Sequence, residues 1–482
     1  MIESRIVAAG DSYSRPLLFL VCTGLFLTAL ANRAMLVSLP TLTHYFHTSI
    51  GVIQWALLAF DLSVIGLVLT LGRLGDVFGR KNFYVCGFLV FTLGSALCGL
   101  AQSPGWLIFF RVIQGIGAAM ITAHGRAIVI ATIPASARGQ ALGLTSMAFH
   151  VGFLTGPTLG GFVIDSIGWR WVFFINVPIG LAIAVLAWKV LAPSSGPRKK
   201  VKIDYLGAAT LLLTTTSLVY AMNQLPIRGF THPLVLACLG IFVIALVTLI
   251  RTELRVETPI LNLALFRNRL FSISNLTLFV ITFTQSSIGL LMVFYLQSLR
   301  GFSASQMGWI IIANSVVVVL CSPFTGKLSD RLGSRLLCTV GAALIICGQA
   351  MIAMLTLEST LFAMIAPLVV TGLGWAAFNS PNQSAMLGAV GRDQAGAASG
   401  MNVTTGRIGS TIGLAISSAI FTYSLSAGGL TPDQISSPSE WSRSPEIFLT
   451  SFQYTIHALN AFGLIAVVFS AMRGAGGQAV EK

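Results

Sequence analysis

Gly72-Arg-Leu-Gly-Asp-Val-Phe-Gly-Arg-Lys81 forms a polar break between two apolar stretches, and Gly326-Lys-Leu-Ser-Asp-Arg-Leu-Gly-Ser-Arg335 repeats its pattern 254 residues later. Three further identical pairs keep the same offset: Trp55 and Trp309, Arg138 and Arg392, and Gln140 and Gln394. Scattered coincidences would not keep one offset across about 90 residues, so the chain contains an internal repeat of two homologous halves.

Both copies of this segment contain the pattern Gly-x-Leu-x-Asp-x-x-Gly. The glycines permit a tight turn and a close approach of helices, and each Asp lies where a helix N-terminus or an arginine could hold it. An ordinary basic loop would explain the Lys and Arg residues but not the two copies. We therefore predict a conformational latch made of Gly72, Asp76, Gly79, Arg80, Gly326, Asp330 and Gly333.

The composition around these segments excludes a water-soluble protein. Of 482 residues, 55% are hydrophobic and 9% are charged, whereas soluble domains carry about 25% charged residues. Fourteen apolar stretches are long enough to cross a bilayer as helices. They lie near 17–39, 52–72, 82–102, 106–134, 140–163, 171–192, 205–224, 233–251, 270–297, 306–326, 336–356, 361–388, 396–424 and 452–472. The predicted fold class is an all-α polytopic membrane protein.

The distribution of positive charge along the chain indicates how the chain is oriented in the membrane. The net charge is +14, which in a soluble protein would suggest a nucleic-acid partner. Here twenty of the 29 Lys and Arg residues fall on one side of the predicted membrane, four on the other and five within spans. The positive-inside rule then places both termini in the cytoplasm. We expect no nucleic-acid partner and a location in a bacterial inner (plasma) membrane.

The repeat and the spans together predict three segments. Residues 1–192 form an N-terminal six-helix bundle, and residues 270–482 form a C-terminal six-helix bundle. Residues 193–269 form a linker with two extra transmembrane helices, which have no counterpart in the repeat.

With these motifs the chain resembles the major facilitator superfamily, and three segments narrow the resemblance. Arg111-Val-Ile-Gln-Gly-Ile-Gly-Ala-Ala119 resembles the fourth-helix motif whose Arg is associated with proton coupling. Gly152-Phe-Leu-Thr-Gly-Pro-Thr-Leu-Gly-Gly161 resembles the fifth-helix motif of exporters, and Trp169-Arg-Trp-Val-Phe-Phe-Ile-Asn-Val-Pro-Ile-Gly180 resembles the sixth-helix signature of fourteen-spanner drug:proton antiporters. The resemblance implies the major facilitator fold, with two bundles that alternate access to a central site.

The fifth-helix motif can also be interpreted from its effect on helix packing. Its glycines allow close helix packing, and its proline removes a backbone hydrogen bond. The predicted exporter motif consists of Gly152, Gly156, Pro157, Gly160 and Gly161. Ordinary helix-dimer faces share the Gly-x-x-x-Gly spacing.

Charges inside the membrane are costly, so each one is a candidate functional residue. Among the acids only Asp61 lies well inside a span, whereas Arg33, Arg111, Arg126 and Arg407 are the deep basic residues. From the rise per residue, Arg33, Asp61 and Arg111 lie ~10, ~13 and ~8 Å below the outer ends of their helices. These three residues are therefore near one level.

We predict that Asp61, Arg111 and His150 take part in proton coupling. Asp61 suits a proton carrier if substrate binding to a nearby arginine changes its protonation. The alternative is that Asp61 only neutralises Arg33 or Arg111 as a fixed buried pair. His150 also has a structural alternative, a neutral and hydrogen-bonded side chain.

The repeat supports an aqueous path at these positions. Its offset pairs deep polar residues with small polar ones: Arg33 with Ser287, Asp61 with Ser315, Arg126 with Ser380 and His150 with Thr404. Ser and Thr also pack well between membrane helices, which is the competing explanation. The predicted substrate contacts are Arg33, Arg126, Asn379, Asn382 and Arg407. Arg407 also fits a packing or gating role.

The first span departs from the pattern of the fourteen-spanner antiporters, which usually carry an acid within a Leu-Asp-x-Thr stretch. Here Leu30-Ala-Asn-Arg-Ala-Met-Leu-Val-Ser-Leu-Pro40 has Ala31 in the place of the acid and Arg33 in the place of the Thr. A carboxylate there suits lipophilic cations, whereas four deep arginines against one Asp create a positive field. We therefore expect an anionic or zwitterionic substrate.

The predicted function is a proton-coupled secondary transporter, most simply an exporter of an organic compound or drug. An importer or facilitator of organic anions is the alternative, and an intramembrane enzyme or a sensor subunit is a weaker one. Because no Walker sequence, metal-ligand cluster or catalytic triad occurs in the sequence, we expect no enzyme activity, no cofactor and no metal. The expected partners are a small-molecule substrate, protons and membrane lipid, and a periplasmic adaptor stays open.

Overall fold

The computed structural model describes residues 2–133, 138–191, 204–256, 263–390, 395–431, 434–435, 441 and 443–473. Within these residues there are helices and no strands, and fourteen helices are long and apolar enough to cross a membrane. The predicted fold class and all fourteen predicted spans are confirmed.

The membrane-spanning helices are labelled here in chain order. The first six are α1 (Ile2–Tyr45), α2 (Trp55–Phe78), α3 (Arg80–Gly99), α4 (Pro104–Thr132), α5 (Arg138–Ile167) and α6 (Asn176–Val190). The two inserted helices are α7 (Tyr205–Arg228) and α8 (Pro233–Arg255). The last six are α9 (Arg269–Phe294), α10 (Ala304–Leu332), α11 (Ser334–Ala353), α12 (Leu361–Gly388), α13 (Ala395–Ala427) and α14 (Pro445–Ala471).

The chain divides into two compact units. The first comprises residues 1–42 and 52–208, and the second comprises residues 43–51 and 209–482. The segment 43–51, which includes the end of α1, groups with the second unit, where Asn223 of α7 donates a hydrogen bond to the Gly51 carbonyl over 3.2 Å. The boundaries predicted at 192 and 269 stay a prediction.

Helix packing follows the internal repeat. In the first unit α4 packs against α2 and α3, and α3 packs against α6. In the second unit α12 packs in the same way against α10 and α11, and α11 against α14. The two copies of the latch segment also end their helices alike, because Gly79 after α2 and Gly333 after α10 have φ of 108° and 81°. Residues with a side chain rarely adopt such backbone angles, which explains why both positions are glycine.

Several helices continue through proline, and α1 contains Pro16 and Pro40. The polar stretch 379–383 lies inside the continuous helix α12, which contains Pro367 and Pro381. Helix α5 likewise runs through Pro157. A proline removes one backbone donor, and neighbouring helices and polar side chains allow membrane helices to tolerate that loss.

Candidate transport site

The only deep acid of the sequence lies beside the first helix. Asn32 of α1 donates a hydrogen bond from its side-chain amide to the Asp61 carboxylate of α2, over 2.8 Å. Both side chains are half-buried. The carboxylate is therefore held next to the residue that precedes Arg33.

The side chain of Arg33, on α1, packs against α5. Its guanidinium carbon lies 3.6 Å from the centre of the Phe153 ring, which is a close cation–π contact. One turn further along α5, Gly156 leaves room for the base of the same side chain, because a Cβ built on Gly156 would come within 2.6 Å of the Arg33 Cβ. Phe153 and Gly156 together fix where Arg33 leaves its helix.

The glycines of the fifth-helix motif pack against α1. Added Cβ atoms on Gly152 and Gly160 would lie 2.3 Å from the Phe26 carbonyl oxygen and 2.9 Å from the Ala34 Cα. These distances are too short for any side chain, so α1 and α5 touch through their backbones. Pro157 and Gly161 are buried in the same segment.

Arg111 lies next to the same region but is fully buried, with 0% of its surface exposed. Its Nε donates to the Ala56 carbonyl over 2.8 Å and one terminal nitrogen donates to Gln114 Oε1 over 2.6 Å. Its guanidinium also lies 4.3 Å from the centre of the Phe60 ring. Because Phe60 directly precedes Asp61, Arg111 fixes the turn of α2 that carries the acid.

A buried hydrogen-bond network continues from Arg111. Gln114 donates to the Ser95 hydroxyl over 3.0 Å, and that hydroxyl donates to the Phe173 carbonyl over 2.9 Å. Asn176 donates to the same hydroxyl over 3.3 Å. The network joins α2, α3, α4 and α6, and it explains the Asn of the sixth-helix signature as a structural residue.

Replacing Arg111 should destabilise the first unit. Arg111→Met keeps an apolar stem but leaves the Ala56 carbonyl and Gln114 without their donor, and a buried unsatisfied acceptor costs about 1–3 kcal/mol. We expect a melting temperature in detergent several degrees below that of the wild type. The matched control is Arg228→Met, since Arg228 is exposed. Equal melting temperatures for the two variants would contradict the structural role of Arg111.

The remaining predicted residues of the first unit lie further away or outside the described side chains. His150 is half-buried on α5, six residues before Gly156 and therefore ~9 Å along the helix from the Arg33 contact. Arg126 lies within α4, but its side chain is outside the described residues.

In the second unit, Asn379 and Arg407 are half-buried on α12 and α13. Asn382 differs from them, because it is 1% exposed. Its amide donates to the Ser274 carbonyl over 3.3 Å and its oxygen accepts a hydrogen bond from Arg473. Arg473 follows the last helix, and burial lowers the pKa of its guanidinium. In this structure Asn382 therefore holds helix ends together and does not face an open surface.

Some of the predicted latch residues have side chains that the structure describes, and others do not. The side chains of Asp76 and Asp330 lie outside the described residues. Arg80 donates to the Ala127 carbonyl of α4 over 3.2 Å, and Gly326 lies under Ser380 of α12, whose hydroxyl is 3.3 Å from a Cβ added there. Gly75 allows the closest contact, since an added Cβ would lie 1.7 Å from Nε2 of the buried His124. Gly72 and Gly75 both face α4, so this segment joins α2 to α4.

Sequence reasoning missed Asn32, Phe153, Gln114 and Gly75. Asn32 was within reach of the depth argument, because it precedes Arg33 and lies at the level of Asp61. Gln114 follows Arg111 by three residues, a spacing that places two side chains on one helix face. Nothing in the sequence singles out Phe153, because the sequence does not show which of many apolar residues contacts Arg33.

Comparisons with known proteins agree on one family. The sequence model described as the Major Facilitator Superfamily matches residues 21–414. The riboflavin transporter RibZ of Clostridioides difficile is 31% identical, over 85% of this chain and 88% of that protein. The multidrug resistance protein Stp of Mycobacterium tuberculosis is also 31% identical, over 85% of this chain and 77% of that protein.

A solved structure shows the same fold. The crystal structure of a bacterial homologue of the human lysosomal transporter Spinster, inward-facing and unoccupied, superimposes with a TM-score of 0.68 at 19% identity. The match covers 96% of this chain and 97% of that one.

Proposed function

Because this chain belongs to the major facilitator superfamily, we propose that it is a proton-coupled secondary transporter that exports an organic anion or zwitterion by alternating access. The observation that carries the proposal is the hydrogen bond between Asn32 and Asp61, which holds the one deep acid next to the residue that precedes Arg33. The two groups of opposite charge are thus carried by neighbouring positions on α1 and α2, and both are half-buried.

The arrangement couples anion binding to protonation. A substrate carboxylate that binds the Arg33 guanidinium brings a second negative charge close to Asp61, and like charges disfavour each other's ionised form. Anion binding therefore favours protonation of Asp61. A linkage of this sign does not by itself set the direction of transport and suits the importer as well, so the proposal of export rests on α5 and on the relatives. Arg126, Asn379 and Arg407 complete the proposed substrate contacts, and His150 is a second proposed proton carrier on α5. Asn382 is left out of the proposed set because it is buried.

The proposed direction is export. The glycine face of α5 packs against α1 as the exporter-type motif implies, and relatives with 31% identity include a protein named for multidrug resistance. Another relative is named a riboflavin transporter, so an importer or facilitator of organic anions stays the second candidate. We further propose a bacterial inner membrane with both termini in the cytoplasm, and a latch role for the two repeated loops.

The direction is tested in everted membrane vesicles with an acidic interior and radiolabelled 2-naphthoate. A weak acid that crosses the lipid by itself collects on the alkaline side, so accumulation in the acidic interior requires a carrier. We expect accumulation that a protonophore abolishes. Uptake only into right-side-out vesicles would overturn export and favour the importer.

Arg33 should determine the charge preference of transport. Arg33→Leu removes the guanidinium that we place at the anion site, and we expect uptake of 2-naphthoate to fall to the level of vesicles without the protein. Arg33→Lys keeps the charge but loses the flat contact with Phe153, so a partial rate is expected. Arg228→Leu, at an exposed helix end, is the matched control. An Arg33→Leu protein with wild-type uptake would remove Arg33 from the site.

A further inference from the structure

A pair of glutamine side chains lies inside the second unit, within the membrane-spanning helices. Gln349 of α11 is buried, with 1% of its surface exposed. Its side-chain nitrogen donates to the Thr284 hydroxyl over 3.4 Å and to Gln285 Oε1 over 3.3 Å, both on α9. Gln285 itself is half-buried.

The neighbouring hydrogen bonds determine which way these amides point. The Thr284 hydroxyl donates its one proton to the Ile281 carbonyl over 3.1 Å. The same hydroxyl must therefore accept from Gln349, which identifies the Gln349 group at this position as the amide nitrogen. The Gln349 nitrogen also donates to Gln285, so the Gln285 atom that faces Gln349 is its amide oxygen. The amide nitrogen of Gln285 therefore points away from Gln349.

The amide nitrogen of Gln285 has two N–H groups and no hydrogen-bond partner among the described residues, and it is not sealed from its surroundings. Polar groups inside a membrane protein are costly unless they are satisfied. An oriented donor of this kind, on a half-buried side chain, has the features of a ligand contact. The oxygen end is fixed by a buried neighbour, which leaves the donor end to a ligand.

We propose that Gln285 is a substrate contact of the second unit, which donates its amide N–H groups to an acceptor oxygen of the ligand, a carboxylate or a carbonyl. Gln349 is its positioning residue. The inference rests on the proposed transport of organic anions and adds the chemical group that the second half recognises. It also predicts a preference, since a ligand that carries only donors, such as an ammonium, finds no acceptor at this end of Gln285.

The test is equilibrium binding of radiolabelled 2-naphthoate to the purified full-length protein in detergent, with 2-naphthylmethylammonium as a competitor. Gln285→Leu removes the donor, and we expect 2-naphthoate to bind about tenfold more weakly, as for the loss of a hydrogen bond to a charged group. Gln285→Glu still accepts from Gln349 but presents an oxygen to the ligand. We expect it to lose 2-naphthoate and to gain affinity for the ammonium.

The matched control is Gln102→Leu, because Gln102 is exposed in the loop before α4, and wild-type affinity is expected. Unchanged 2-naphthoate affinity in Gln285→Leu, with normal binding by the wild type, would overturn this inference alone. A wild-type protein that neither binds nor transports 2-naphthoate, decanoate or taurocholate would instead overturn the proposed function. An equal loss of acid and ammonium binding in Gln285→Glu would show disturbed packing and also contradict the inference.

Discussion

Asp61→Asn should abolish proton movement driven by substrate, down to the level of liposomes without protein. The substitution keeps the size of the side chain and an oxygen that can accept the hydrogen bond from Asn32, so the local packing should persist. It removes the group that we propose takes up and releases the proton. Exchange of labelled for unlabelled 2-naphthoate across the membrane, which needs no net proton transfer, should continue.

The matched control for this prediction is Asp165→Asn, because Asp165 is exposed towards the end of α5. Wild-type proton flux is expected there. The measurement is fluorescence of a pH-sensitive dye enclosed in proteoliposomes. Should Asp61→Asn retain proton flux while His150→Gln abolishes it, the proton carrier would be His150 and the pair of Asn32 and Asp61 would be structural.

Gly156→Leu should abolish transport for a different physical reason. Even a methyl group at this position would lie 2.6 Å from the Arg33 Cβ and 3.1 Å from the Leu30 carbonyl oxygen, so α1 and α5 must separate. Overpacking of this kind typically costs about 1–3 kcal/mol in a well-packed core. We expect a lower melting temperature together with a displaced Arg33 and uptake of 2-naphthoate at background.

Gly240→Leu is the matched control, since Gly240 lies in the membrane-spanning helix α8 and nothing lies within 4 Å of a Cβ added there. Wild-type melting and uptake are expected of that variant. Gly156→Ala provides the graded test, with a smaller loss of both quantities. Wild-type uptake by Gly156→Leu would show that Arg33 is not held by this contact.

The sequence alone predicted the fold because its signals are strong and redundant. The fourteen apolar spans follow from the thickness of a bilayer, and the repeated segment that ends at Gly79 and Gly333 identifies the two halves. The helix α12 continues through Pro381. A proline is a strong signal for a break in water, but in a membrane the alternative to a helix is an unsatisfied backbone, so the helix persists.

The site was predicted only in part, because a single sequence gives depth but not neighbours. The depth estimate placed Arg33, Asp61 and Arg111 at one level. In the structure Asp61 is bonded to Asn32, the neighbour of Arg33, and Arg111 packs on Phe60, the neighbour of Asp61. Burial was harder to foresee. Arg111 and Asn382 were both expected at functional positions, yet each is buried and donates a hydrogen bond to a backbone carbonyl of another helix.

Gln285 and Gln349 show the same limit in the second half. They are separated by 64 residues, and neither belongs to a motif. Their relation depends on which faces of α9 and α11 meet, a property of helix packing that a short sequence pattern does not encode. Once the helices are placed, the proton of the Thr284 hydroxyl is enough to orient both amides.

The central claim is that the transporter exchanges an organic anion for protons through Asp61. Its most direct test is proton flux evoked by substrate in proteoliposomes of the wild-type protein and of Asp61→Asn, with 2-naphthoate, 2-naphthylmethylammonium and neutral 2-naphthalenemethanol compared side by side. The account predicts flux with the anion alone, and its loss in Asp61→Asn. Flux evoked by the ammonium, or anion-evoked flux that survives Asp61→Asn, would contradict it.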